Sequence, residues 1–205
     1  LDVVIAQPIS THERDEILAT FPGGRIHAPG APVATHPRGR LRWLTERHLP
    51  LGVGLLDPRQ VQSDAGSFVN AAPTPDLVFA AGARARWIFR PVAPDAPVVI
   101  DFADITGVLE RRERDVLRQA RPWRSPTMAK DLVRHSVDAA RWATFEREQA
   151  ATASLVTVCS PADRDALGAP HAAVVPNGAH RPPTPAATRR SEEPTATLLF
   201  PGQMT

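Results

Sequence analysis

Tyrosine is absent from this sequence, lysine occurs once, at Lys130, and cysteine occurs once, at Cys159. One cysteine excludes an internal disulfide and fits a reducing compartment. No stretch approaches the roughly 20 apolar residues that a membrane-spanning helix needs, and the start has no signal-peptide layout. Phosphate loops of the two common glycine-rich types are missing too, since Gly23-Gly24 follow Phe21-Pro22 in what reads as an ordinary helix-to-strand turn. The histidines, at positions 12, 27, 36, 48, 135, 171 and 180, include no pair at metal-ligand spacing and are expected mostly at the surface. A large excess of charge is also lacking: the net charge is +2 and the cations are nearly all arginine. Arg111-Arg112 and Arg189-Arg190 are short pairs without interleaved aromatics, which argues against nucleic-acid binding.

What is present is a chain of 205 residues, 42% hydrophobic, with 22 prolines. That length accommodates one substantial core. The apolar run Ala173 to Val175 stops in Pro-Asn-Gly, Pro176 to Gly178, and reads as a strand leaving the core into a tight turn. The reading that follows is one domain over 1–178, a proline-rich linker over 179–195, and the stub of a second domain over 196–205, with a strand from Ala196 to Phe200. Leu1 begins at the mouth of a strand without an initiator methionine, so both ends are expected to be truncated.

Strands and helices alternate, the pattern of an α/β protein with a doubly wound parallel sheet. Strands are predicted over Asp2 to Pro8, Leu77 to Ala81, Val98 to Phe102, Leu155 to Cys159 and Ala173 to Val175. They are apolar throughout, as strands covered on both faces should be. Ser10-Thr11-His12-Glu13 has capping-box spacing, which predicts a helix to about Thr20. Arg40 to His48 predicts a short helix and Ala129 to Ala153 a long one. The apolar stripe of the long helix is expected to hold Leu132, Val133, Val137, Ala140, Phe145 and Ala150.

In open parallel sheets the ligand sits beyond the carboxyl ends of the strands, which selects the residues just after each strand. Asp101 and Asp104 offer two carboxylates for a cation or an acid–base pair. The preferred alternative is that Asp104 caps the helix starting at Ile105 while Asp101 orders the loop. Ser160 reads as the N-cap of a helix with Pro161 at its first position, and free amides there suit a phosphate or carboxylate. Cys159 falls inside the strand LVTVC and is read as a small hydrophobe rather than a nucleophile. Trp43, Trp87, Trp123 and Trp142 are expected in the core or at helix contacts. For the arginines of Arg38 to Arg47, a solvated helix face is preferred over contact with anionic lipid.

Several stretches in combination resemble bacterial glycosyltransferase family 4, whose enzymes have the two-domain GT-B fold. They are PDLVFAAGA (Pro75 to Ala83), PVVIDFADI (Pro97 to Ile105), FERE (Phe145 to Glu148), SLVTVCSPADRDAL (Ser154 to Leu167), VVPNGA (Val174 to Ala179) and TLLFPGQM (Thr197 to Met204). The "DF.D" strand end resembles an exopolysaccharide-type subgroup. The likeness covers nearly the whole chain, weakly before Pro75 and strongly after it.

The resemblance implies the Rossmann-like N-terminal, acceptor-side half of a GT-B enzyme, lacking its first strand and followed by the opening strand of the donor-binding domain. It implies retaining transfer of a sugar from a nucleotide-sugar donor to a saccharide or lipid-linked acceptor, in polysaccharide or glycoconjugate biosynthesis. No metal and no cofactor would be needed. Asp101, Asp104, Ser160, Asn177 and Gly178 would line the cleft and Gly202 would approach the donor phosphates. Many relatives have a histidine where this chain has Ala103, so no catalytic side chain is assigned. The chain by itself is expected to be inactive, in the cytoplasm or at the inner face of the cell membrane. The competing reading is a non-catalytic α/β module that binds a saccharide or lipid-linked acceptor and has no donor site.

Overall fold

The computed structural model describes residues 2–4, 10–20, 25–28, 33–71, 75–120 and 125–176. The turn residues Asn177 and Gly178, the linker, and the second-domain strand with Gly202 lie outside the described residues. In chain order the elements are β1 (Asp2–Val4), α1 (Thr11–Thr20), β2 (Arg25–His27), β3 (Ala34–Thr35), α2 (Gly39–Thr45), α3 (Leu51–Gly54), β4 (Leu56–Asp57) and α4 (Arg59–Asn70). They continue with β5 (Val78–Ala81), α5 (Gly82–Phe89), β6 (Val98–Phe102), α6 (Thr106–Gln119), α7 (Pro126–Ala151), β7 (Leu155–Val158), α8 (Pro161–Leu167) and β8 (Ala173–Val174). The fold is α/β, built on a four-stranded parallel sheet in the order β5-β6-β7-β8. β1 and β2 form a separate parallel pair and β3 and β4 an antiparallel one.

The helix starts follow from local chemistry. Ser10 Oγ accepts the Glu13 N–H at 3.2 Å while Glu13 accepts the Ser10 N–H at 2.7 Å, the reciprocal box expected from the sequence. Those bonds hold the Glu13 carboxyl below its ordinary range, the Ser10 backbone N–H first. At the far end of the chain, Gly168 takes φ 68° and closes α8, with its N–H on Arg164 and Asp165 carbonyls. A left-handed residue there favours glycine.

Coverage of the sheet differs from the expectation of two closed faces. Val98, Ile100 and Phe102 alternate as fully buried residues along β6, and they meet Ala80, Val156 and Val158 in the main core with Trp142 and Phe145 of α7. The opposite face is open at its edges. Phe79, Val99 and Leu155 stand side by side in register there, and Phe79 remains 65% and Leu155 44% exposed. A continuous apolar run points to cover on both faces, and the expectation fails here because Phe79 and Leu155 lie on a face that the described residues leave open.

The buried seam of α7 also differs from the expected stripe. Leu132, Phe145 and Ala150 are buried as expected, but Val133, Val137 and Ala140 face solvent. The seam is completed by Ala139 and Trp142 and by three polar residues, Asp138, Glu146 and Gln149. Asp138 accepts the Trp43 indole N–H at 3.0 Å and the Leu51 N–H at 2.9 Å, tying α2 and α3 to α7. Arg141 adds bonds to the carbonyls of Trp43 and Leu49. α6 lies close against α7 because Gly107 has no side chain: a Cβ there would stand 3.0 Å from the Ala143 nitrogen.

Arg86 of α5 is only 7% exposed, and among the described residues its Nε has no hydrogen-bond partner. Burial, with Arg90 nearby, lowers its pKa from the ordinary arginine value. Among the described residues no carboxylate pairs with it, and a desolvated cation so placed costs stability, so Arg86→Met is expected to gain about 1 kcal/mol. The urea midpoint checks this, and a lower midpoint for the variant contradicts it. No described helix is long and apolar enough to cross a membrane.

Candidate functional site at the carboxyl edge of the sheet

Because β5 to β8 are parallel, their carboxyl ends fall along one edge, with Ala81 opposite Asp101, Asp101 opposite Thr157, and Phe102 opposite Val158. The chain leaves that edge through Gly82 after β5, Ala103 and Asp104 after β6, Cys159 and Ser160 after β7, and Val175 and Pro176 after β8. Of the six residues assigned from the sequence, the structure therefore aligns Asp101, Asp104 and Ser160 on one edge. Asn177, Gly178 and Gly202 lie outside the described residues.

Asp101 is half-buried and accepts the Thr157 hydroxyl at 2.6 Å across the ladder. This short bond fixes the carboxylate at the sheet edge. Asp104 is exposed, and it does not cap α6 as expected. Ile105 occupies the N-cap position and contributes no side-chain bond. The capping group comes instead from another helix. Glu146 of α7 accepts the Thr106 N–H at 2.6 Å and the Gly107 N–H at 3.1 Å. Burial pushes the Glu146 carboxyl above its ordinary value of 4.5, against the pull of those two N–H groups and of Arg111. With α6 capped in this way, the Asp104 carboxylate is left facing outward at the edge. Sequence reading missed Glu146 as a loop-holding group, although it lies in the FERE stretch, because its partners are about 40 residues away in sequence.

Gly82 was missed as well. Its φ of 81° turns β5 directly into α5, and no atom lies within 4 Å of where a Cβ would stand. Conformation, rather than space, calls for glycine at this position. The signal was the glycine of AAGA at the end of an apolar strand.

Ser160 is the N-cap expected. Its Oγ accepts the Asp163 N–H at 3.1 Å and donates to Asp163 Oδ2 at 2.6 Å. Both bonds stay within its own turn, so the hydroxyl shapes the edge. Ser160→Ala is expected to cost about 1 kcal/mol, read from the urea midpoint. An unchanged midpoint would show that the cap is idle. Cys159 lies one residue past β7 rather than inside the strand, half-buried, with its thiol 3.8 Å from the Phe102 carbonyl.

Among the described residues, no three His, Cys, Asp or Glu side chains gather as a metal site. Three histidines, His27, His36 and His135, are less exposed than expected. The His27 ring rests on Phe68, and the His135 side chain is 12% exposed between α6 and α7. An arginine only donates, so His135 Nε2 accepts from Arg134 and Nδ1–H is donated to Glu110, each at 2.6 Å. Trp43 and Trp142 pack at helix contacts as expected; Trp123 lies outside the described residues. A separate depression of about 580 Å³ between α2, β4 and α4 contains none of the carboxyl-edge residues.

No family model, curated protein or solved structure matches the chain. Function therefore rests on the chemistry of the edge. It presents an outward carboxylate, a second one held by a hydroxyl, a glycine turn and four strand ends.

Proposed function

We propose that this chain is the acceptor-side domain of a retaining, nucleotide-sugar-dependent glycosyltransferase of the GT-B type, similar to family 4 enzymes. The observation that carries the reading is the alignment of Gly82, Asp101, Asp104 and Ser160 along the carboxyl edge of a parallel sheet, where such sheets bind ligands. In this role Asp104 accepts hydrogen bonds from hydroxyls of a saccharide or of a lipid-linked saccharide. Asp101 lines the floor beside it, and Glu146 holds the loop that presents both.

By resemblance, Asn177 and Gly178 would belong to the acceptor side of the cleft and Gly202 to the nucleotide-sugar side; all three lie outside the described residues. The leaving diphosphate is stabilised by amides and cations of that side, outside the described residues. Such an enzyme works in the cytoplasm, in the assembly of polysaccharides or glycoconjugates. Calorimetric titration of the chain with a panel of oligosaccharides and a panel of sugar nucleotides tests the reading. Heat from a saccharide, without turnover of any sugar nucleotide, is the expected result. If no member of either panel binds, the reading fails.

A further inference from the structure

We propose that the outer side of α7 is a dimer interface, on which a second copy of this chain lays its own α7 antiparallel. Helix α7 is apolar on two sides. Its inner seam, with Trp142 and Phe145, is taken up by the core. On its outer side Val133 remains 63% and Val137 36% exposed, and Ala140 and Thr144 are exposed beside them. These four positions follow one another at intervals of four, three and four residues, the spacing of a coiled-coil seam. At 3.6 residues per turn they fall within an arc of about 60°, so the helix presents them as one open stripe.

The charges beside the stripe select its occupant. Lys130 and Glu148 are about five turns apart and therefore lie along the same edge of it. Both are exposed, and among the described residues neither forms an ion pair. On the other edge Arg147 is drawn over Gly168 at the end of α8. The stripe is centred between Val137 and Ala140, and Lys130 and Glu148 stand at nearly equal distances to either side of that centre with opposite signs. A two-fold axis through the centre, perpendicular to the helix, sets Val137 against Ala140 of the second copy, Val133 against its Thr144 and Lys130 against its Glu148. Each contact is then made twice, the self-complementarity that an isologous interface requires. A parallel arrangement would put the two charged edges on opposite sides and leave both charges unmatched. Charge complementarity therefore favours the chain's own copy over an unrelated helix. The apolar seam is short, so the dimer is a weak one, with a dissociation constant of about 10 to 100 µM. Gly82, Asp101, Asp104 and Ser160 are not on α7, and the inference stands independently of the transferase reading.

The test is sedimentation of the full chain at concentrations from about 5 to about 500 µM, where a reversible monomer–dimer equilibrium is expected. Val133→Gln/Val137→Gln should weaken association about tenfold or more. Lys130→Glu and Glu148→Lys each bring like charges together at both ends of the seam, and each alone should weaken association about tenfold. An equimolar mixture of these two single variants should associate as the wild type does, because every pair then joins opposite charges. All four positions are exposed, and circular dichroism checks that the variants fold. A wild-type chain that stays monomeric throughout this range overturns the proposal. So does a dimer that survives the glutamine variant, which would place the contact elsewhere. Failure of the mixture to restore association contradicts the antiparallel pairing and overturns it as well.

Discussion

Asp138→Ala is expected to cost about 3 kcal/mol, a large loss for a single polar side chain. Asp138 is 1% exposed, and the same carboxylate oxygen receives the Trp43 indole N–H and the Leu51 N–H. Removing it leaves both donors buried without an acceptor and detaches α2 and α3 from α7. Bonds to a charged acceptor contribute roughly 1.5 to 3 kcal/mol each, and the lost desolvation cost of the charge returns part of the sum. Asp138→Asn keeps an acceptor oxygen in place and is expected to cost less than half as much. Urea unfolding of the two variants checks the order. Equal losses would mean that packing, and not the two hydrogen bonds, accounts for the effect.

Glu146→Ala carries the second large effect, about 2 kcal/mol, because it strips the acceptor from the first two amides of α6. The pH dependence gives the more specific signature. Burial raises the folded-state pKa of Glu146 above its ordinary 4.5, so the native state holds this proton more tightly than the unfolded chain does. Its contribution to stability is full below the unfolded value and is lost as pH rises through the folded value. Glu146→Gln removes that titration. Wild-type stability should therefore fall relative to Glu146→Gln as pH rises above 4.5. A parallel pair of stability–pH curves contradicts the assignment. If the carboxyl edge binds a saccharide, Glu146→Ala should also weaken binding, through the displaced Asp104 loop, more than loss of the distant Ser10 cap does.

Much of the fold was legible because the relevant signals were local. The apolar runs around Val98 to Phe102 and Leu155 to Val158, the Ser10 capping box and the Ser160-Pro161 helix start all appear where sequence places them. What escaped was decided over distance. The cap of α6 comes from Glu146 on the next helix, so the nearby Asp104 was the only candidate a local rule offered. Polar Asp138 and Glu146 entered the buried seam of α7 because each satisfies amides from elsewhere, whereas counting apolar residues placed Val133 and Val137 there instead. The exposed pair Leu41 and Leu44 depended on the locked orientation of α2, which arises from Gly39 against Leu55 and Trp43 against Asp138. At the candidate site, the ends of β6 and β7 with Asp101, Asp104 and Ser160 were found from pattern alone, and Gly82 was overlooked because its positive φ is a property of the turn.

The most direct test of the central claim is a map of backbone amide shifts while the chain is titrated with the saccharide that calorimetry selects. Shifts should concentrate at Gly82, Asp104 and Ser160 on the carboxyl edge, and Asp104→Ala should weaken binding about tenfold while leaving the fold intact. Shifts confined to the hollow between α2 and α4, or binding indifferent to Asp104, would contradict a saccharide site at that edge.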